Sequence, residues 1–275
     1  LGGLGFSLFG LPSPFLWGTV IAFMAFLPII GIGVVFVPAA APPAKLTQML
    51  SYGATVVPVA GSYDQAFELC RAACDHFGWY NRNTALNPFT IEGKKTAAIE
   101  IAAAMSPDPP DVVLIPTGDG VILSGMAKGF RDLAATGLIP KLPRLIAVQA
   151  EGSAAIARAL RSGAETVAPI QEASSVADSL NVEMPRNAIC CLAEVRRSDG
   201  AGVIVTDEAI LSSIPKLARA TGVFAEPAGA AALAGLEVDG DLDPGGSGVE
   251  AVLDELAQEV QRARELVDQV GERLA

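Results

Sequence analysis

Residues 113–130 read VLIPTGDGVILSGMAKGF, and this stretch restricts the fold most tightly. Val113, Leu114 and Ile115 are apolar and partly β-branched, which marks a buried strand. Gly118 and Gly120 follow closely, permitting positive φ and leaving backbone amides uncovered. Residues 124–134 then carry the apolar spacing of a helix. A strand, a glycine turn and a helix in so short a span form a βα unit. Such a unit aims backbone N–H groups and a helix N-terminus at an anion such as phosphate; a tight turn without a ligand is the plain alternative. Two nucleotide motifs are excluded. A P-loop needs Lys and Ser/Thr after its last glycine, and Gly125 is followed by Met126. The dinucleotide fingerprint needs its third glycine three residues after the second, and the next glycine after Gly120 is Gly125.

The same alternation extends from about residue 33 to residue 236. GVVFVP reads as a strand, PAKLTQMLSYG as a helix ending at Gly53, and ATVVPVA as a second strand. SYDQAFELCRAACDHFG reads as a helix with Ser62 at its N-cap. RLIAVQAEG is a further strand, with a helix expected from Ser153. Repeated βαβ units predict an α/β fold with a mostly parallel sheet and flanking helices. Ligands of such sheets sit beyond the carboxyl ends of the strands, where the Gly118 loop falls.

The chain has 275 residues and a net charge of −11 without a basic stripe, which argues against a nucleic-acid partner. The charge is uneven. Residues 1–44 contain no charged side chain, whereas residues 239–275 hold ten acidic and three basic ones. Four expected regions follow: an apolar segment 1–38, an α/β domain 39–236, a linker 237–248 and an amphipathic helix 249–275. Cys70 and Cys74 are four apart, Cys190 and Cys191 are adjacent, and His76 is the single histidine. That set gives no metal site and suits buried thiols in a reducing compartment.

Residues 15–37 are long and apolar enough to cross a bilayer, and equally suit an apolar core segment. No basic segment precedes them, so they make a poor signal peptide. The chain starts at Leu1 rather than Met, which suggests a fragment. In the tail, Val249, Leu253, Leu256, Val260, Ala263, Val267, Val270 and Leu274 form a heptad seam. It suits a homodimer or packing on its own domain.

Several stretches together resemble one family. They are VVFVPAAAPPAKLTQMLSYGATVV, GWYNRNTALNPFTIEGKKTAAIEIA, PTGDGVILSGMAKGF, RLIAVQAEGSAAI, ASSVADSL and GVFAEPAGAAALAGL. In order and spacing over residues 33–236 they resemble threonine synthase, and more broadly the fold type II pyridoxal phosphate enzymes. The resemblance implies a tryptophan-synthase-β-like parallel sheet and pyridoxal 5′-phosphate as cofactor. It also implies a lyase that converts O-phosphohomoserine to threonine and phosphate, in a cytoplasmic domain. Carried onto this chain, it implies that Gly118, Asp119, Gly120, Val121 and Ile122 hold the cofactor phosphate and that Glu226 lies near the cofactor ring. Asn83, Thr84 and Asn87 become candidates for contact with the small amino-acid phosphate substrate; turn chemistry is their plain alternative. The GKKT sequence favours threonine synthase over the serine/threonine dehydratases. Separately, GLPSPFLWGTVIAFMAFLPIIG resembles a membrane hairpin of autoinducer-exporter permeases, which would associate residues 15–37 with a membrane.

The chain also departs from the family. The Schiff-base lysine sits in a segment resembling SFKDR before the first strand, and no such segment is present. Its six lysines are Lys45, Lys94, Lys95, Lys128, Lys141 and Lys216, and none has that context. The SGN turn and the terminal TGxGLKD segment are likewise absent. No catalytic residue is therefore assigned, and the expectation is an incomplete fold with impaired activity. The alternatives are a membrane-tethered, non-catalytic remnant that binds pyridoxal phosphate or phosphate, and a serine/threonine dehydratase-type pyridoxal phosphate enzyme.

Overall fold

A computed structural model describes residues 33–238, together with Gln258 and Gln261. The permease-like hairpin and the heptad seam therefore lie outside the described residues, apart from those two glutamines, both helical. The chain divides into two compact units, Leu1–Tyr80 and Asn81–Ala275.

In the first unit, strand β1 (Val34–Pro38) is followed by helix α1 (Pro43–Ser51), strand β2 (Thr55–Val59) and helix α2 (Tyr63–Phe77). β1 and β2 pair in parallel, with Val34 opposite Thr55 and Pro38 opposite Val59. The end of the apolar run 15–37 is thus a strand, as the GVVFVP pattern predicts, paired through its backbone with β2; residues 15–32 lie outside the described residues. No helix among the described residues is long and apolar enough to cross a membrane. Helix α2 begins where the sequence places it: Ser62 accepts from the Gln65 amide, and Gln65 accepts from the Ser62 amide in return. This reciprocal pair satisfies two donors that the helix itself leaves free.

The second unit opens with helices α3 (Pro88–Lys94) and α4 (Thr96–Ala104). Strand β3 (Val112–Pro116), helix α5 (Val121–Ala135), strand β4 (Arg144–Ala150) and helix α6 (Ala155–Ser162) follow. Helix α7 (Ala188–Arg197), strand β5 (Ala201–Val205), helix α8 (Asp207–Thr221) and helix α9 (Pro227–Val238) complete it. The sheet order is β3-β4-β5, all parallel, as βαβ repetition requires. β4 is central and nearly all buried, which explains its unbroken apolar sequence. Its residues alternate between two cores. Leu145 and Ala147 meet α5 and α7, while Ile146, Val148 and Ala150 meet α8 and α9.

Two local features differ from the sequence reading. Helix α5 starts at Val121, three residues before the helical spacing becomes visible, because Gly120 adopts φ +85° and serves as its N-cap. The helix expected from Ser153 starts at Ala155 after a single 3₁₀ turn. Ser153 is buried instead: its hydroxyl donates to the Leu180 carbonyl at 2.8 Å and accepts from the Val182 amide at 3.0 Å. That side chain anchors a distant loop and is unavailable as a cap.

Candidate functional site

The loop between β3 and α5 is held from behind by its carbonyls. The Thr117 carbonyl accepts from Gln149 Nε2 at 2.9 Å, and the Asp119 carbonyl accepts from the Asn187 amide at 3.2 Å. The Gly120 carbonyl accepts from Asn187 Nδ2 at 3.3 Å and from the Ser124 hydroxyl at 3.0 Å. In a trans peptide the C=O and the next N–H point in opposite directions. With the carbonyls of Thr117, Asp119 and Gly120 turned into the protein, the amides of Gly118, Gly120 and Val121 face the other way. The first-turn amides of α5 have no acceptor within the helix, and no side chain caps them. Helix and loop donors thus lie together at the positive end of a 15-residue helix.

Those donors open into a cavity of about 490 Å³, within the range of small-molecule sites. Gly118, Asp119, Gly120, Val121 and Ile122 line it together with Thr84, Lys94 and Glu226. Ile101 and Met126 supply apolar wall. Glu226 precedes α9 and faces the Ser179 hydroxyl at 3.5 Å. The Asp119 carboxylate accepts from the Arg186 amide at 3.0 Å, so it braces the loop from the side. Asn83 and Asn87 are not among the residues lining the cavity. Asn87 is buried as the N-cap of α3, accepting from the Phe89 amide at 3.0 Å and donating to the Asn81 carbonyl at 3.0 Å. The carbonyl of Asn83 accepts from the amides of Leu86 and Asn87, and its buried Nδ2 has no partner among the described residues.

Beneath the loop lies Cys191, fully buried on α7; a Cβ built on Gly120 would sit 2.7 Å from its Cβ. Burial pushes the Cys191 thiol up from 9.0 to about 12. Cys190 is exposed, contrary to the expectation of buried thiols, because adjacent helix positions point about 100° apart. Iodoacetamide at pH 8 is expected to modify Cys190 and spare Cys191 in the native chain; alkylated Cys191 in a peptide map would contradict the packing. Between pH 9 and about 12 the folded chain keeps a proton that the unfolded chain releases. This contribution to stability is complete below pH 9 and declines as pH rises through that window.

Two side-chain clusters fix α5 beside this cavity. Glu92 and Asp132 form a box with Lys95 and Lys128, with contacts between 2.9 and 3.2 Å. Hydrogen bonds from the lysines hold both carboxyls below their ordinary range, and the same bonds raise both lysines. On another face of the same stretch of α5, Arg131 pairs with buried Glu194 of α7, which also pairs with Arg197.

The loop amides, the glycines and the cavity volume fit a phosphate monoester such as that of pyridoxal 5′-phosphate. A family model described as pyridoxal-phosphate dependent enzyme matches residues 19–253, starting inside the apolar head. The chain belongs to this family of pyridoxal-phosphate dependent enzymes. Within it, the chain is 38% identical over 192 residues to threonine synthase of Methanosarcina acetivorans, covering 70% of this chain and 47% of that protein. It is 36% identical over 193 residues to threonine synthase of Methanocaldococcus jannaschii, covering 70% and 47%. The chain thus spans about half the length of both relatives. Among solved structures it is similar to a T.th. threonine deaminase, with a TM-score of 0.61 and 25% identity over 80% of this chain and 68% of that one.

The sequence motifs pointed to the loop, to Thr84 and to Glu226, and the structure brings these together around one cavity. Sequence reasoning missed Asn187, Gln149 and Ser179. Their signal is weak: each is a common polar residue, 32 or more positions from its partner. Lys94 stood in the quoted GKKT motif, but nothing in the motif separates it from Lys95.

Proposed function

We propose that this chain supplies the phosphate-gripping part of a threonine synthase-like, pyridoxal-phosphate-dependent lyase acting on O-phosphohomoserine. The observation that carries this reading is the loop whose carbonyls are tied back by Asn187 and Gln149, so that its amides face the cavity. Fixed main-chain donors suit a phosphate because they need no reorganisation when the anion arrives. Gly118, Gly120, Val121 and Ile122 would hold the phosphate, with Asp119 bracing the turn. The apolar wall would take the ring, and Glu226 would lie near it. Once bound, pyridoxal phosphate supplies an electron sink for carbanion chemistry at a substrate α-carbon. Thr84 lines the same cavity and would meet substrate there, while Asn83 and Asn87 shape the turn beside it. The resemblance to two threonine synthases supports this substrate over others.

Of the lysines in the second unit, Lys94 lines the cavity, while Lys95 and Lys128 are committed to the box with Glu92 and Asp132. We infer that a chain with this phosphate grip, and Lys94 as the one lysine at the cavity among the described residues, is impaired in activity on its own. The test is titration of the purified chain with pyridoxal 5′-phosphate, followed by competition with inorganic phosphate and by assay of threonine from O-phosphohomoserine. Saturable, phosphate-competed binding without threonine formation is expected. Failure to bind would remove the cofactor reading, and threonine formation by this chain alone would remove the impairment.

A further inference from the structure

We infer that Lys94 is the counter-charge for a phosphate monoester in this cavity, so that the anion site consists of neutral amide donors plus one ammonium. The inference rests on the cofactor reading above and adds a residue to it.

Three observations carry it. First, Lys94 lines the cavity together with the loop amides, and it is the one cation among the described lining residues; the charged others, Asp119 and Glu226, are acidic. Second, its ammonium has no carboxylate partner among the described residues, whereas Lys95 and Lys128 are each shared between Glu92 and Asp132. Lys94 is partly buried and lines the same cavity as the loop, so an anion held by the loop amides would bring the missing partner within its reach. Third, the fold holds Lys94 there by close helix packing. A Cβ on Gly125 would sit 2.7 Å from the Lys94 Cβ and 2.8 Å from the Ile91 carbonyl oxygen. The end of α3 is therefore pressed against the second turn of α5, beside its N-terminus. Amide donors give direction and a lysine gives charge, and a phosphate dianion is served by both.

The full chain is titrated with pyridoxal 5′-phosphate, and the loaded chain with O-phosphohomoserine, for the natural sequence, Lys94→Gln, Lys94→Arg and Lys95→Gln. Lys94→Gln is expected to weaken the first of these steps about tenfold, the size of a single charge-assisted contact. Lys94→Arg is expected to restore most of the loss and Lys95→Gln to leave both steps unchanged. The gap should close toward about 1 M salt, where screening reaches a few ångströms. An effect on the first step assigns Lys94 to the phosphate that the loop amides hold, and an effect confined to the second step overturns the assignment by placing Lys94 at a separate anion. Unchanged affinity at both steps, or Lys94→Arg as weak as Lys94→Gln, overturns the assignment while leaving the cofactor reading intact. Borohydride that fixes the cofactor covalently onto Lys94 also overturns it, by making Lys94 an anchor and not a counter-charge. A natural chain that binds neither compound removes both readings together.

Discussion

Replacing Gly120 with valine is expected to abolish pyridoxal 5′-phosphate binding and to destabilise the second unit by about 2–5 kcal/mol. Two costs add. Gly120 has φ +85°, where a side chain costs about 1–2 kcal/mol. Its Cβ would also lie 2.7 Å from Cys191 Cβ and 3.3 Å from Ile156 Cδ1, and relief of such overpacking costs about 1–3 kcal/mol more. Both neighbours belong to the core and cannot swing into solvent. The loop must move instead, which turns its carbonyls away from Asn187 and its amides away from the cavity. Urea unfolding and cofactor titration measure the two effects separately. Gly120→Ala carries the same two costs, since both act on Cβ; Asn187→Ala, which frees the Gly120 carbonyl without adding an atom to the loop, gives the second binding measurement. A valine variant that binds with natural affinity would show that the loop amides do not hold the cofactor.

Replacing Phe130 with alanine is expected to cost about 3–5 kcal/mol. Phe130 is 1% exposed, at the centre of the core shared by α4, α5, α6 and α7. Removing the ring leaves a cavity beside Leu123, Ala127 and Leu192, all on rigid helices that collapse only in part. The loss approaches the whole stability of a marginal domain, so a shift of the urea midpoint is the first readout. Cofactor affinity, measured below the transition, should change little, because Phe130 lies nine residues beyond Val121 and the loop is held independently by Asn187 and Gln149. A Phe130→Ala variant with an unchanged midpoint would show that this helix face is not the core.

Much of this arrangement is legible in residue order. The strand at Val113, the glycines at 118 and 120 and the helix after them follow from periodicity and backbone sterics. The Ser62 cap follows from hydrogen-bonding chemistry confined to four residues. The parallel sheet follows from repetition of strand and helix. These features are local, and local physics is written in contiguous sequence.

The tertiary structure decided the rest, because the deciding contacts join residues far apart in the chain. That the loop's amides face outward depends on Asn187, 67 residues from Gly120, and on Gln149, 32 residues from Thr117. That helix α5 begins at Val121 depends on Gly120 closing against Cys191. The division of labour between Lys94 and Lys95 has the same origin. Two identical neighbours at a helix end point about 100° apart, and sequence alone does not say which faces the ligand. Docking of α3 onto Gly125 makes that choice, turning Lys95 toward Asp132 and Lys94 into the cavity. Sequence by itself determined that this chain has a phosphate-type loop on a parallel sheet. Only packing between distant segments determined which side of that loop is bare and which charge stands opposite it.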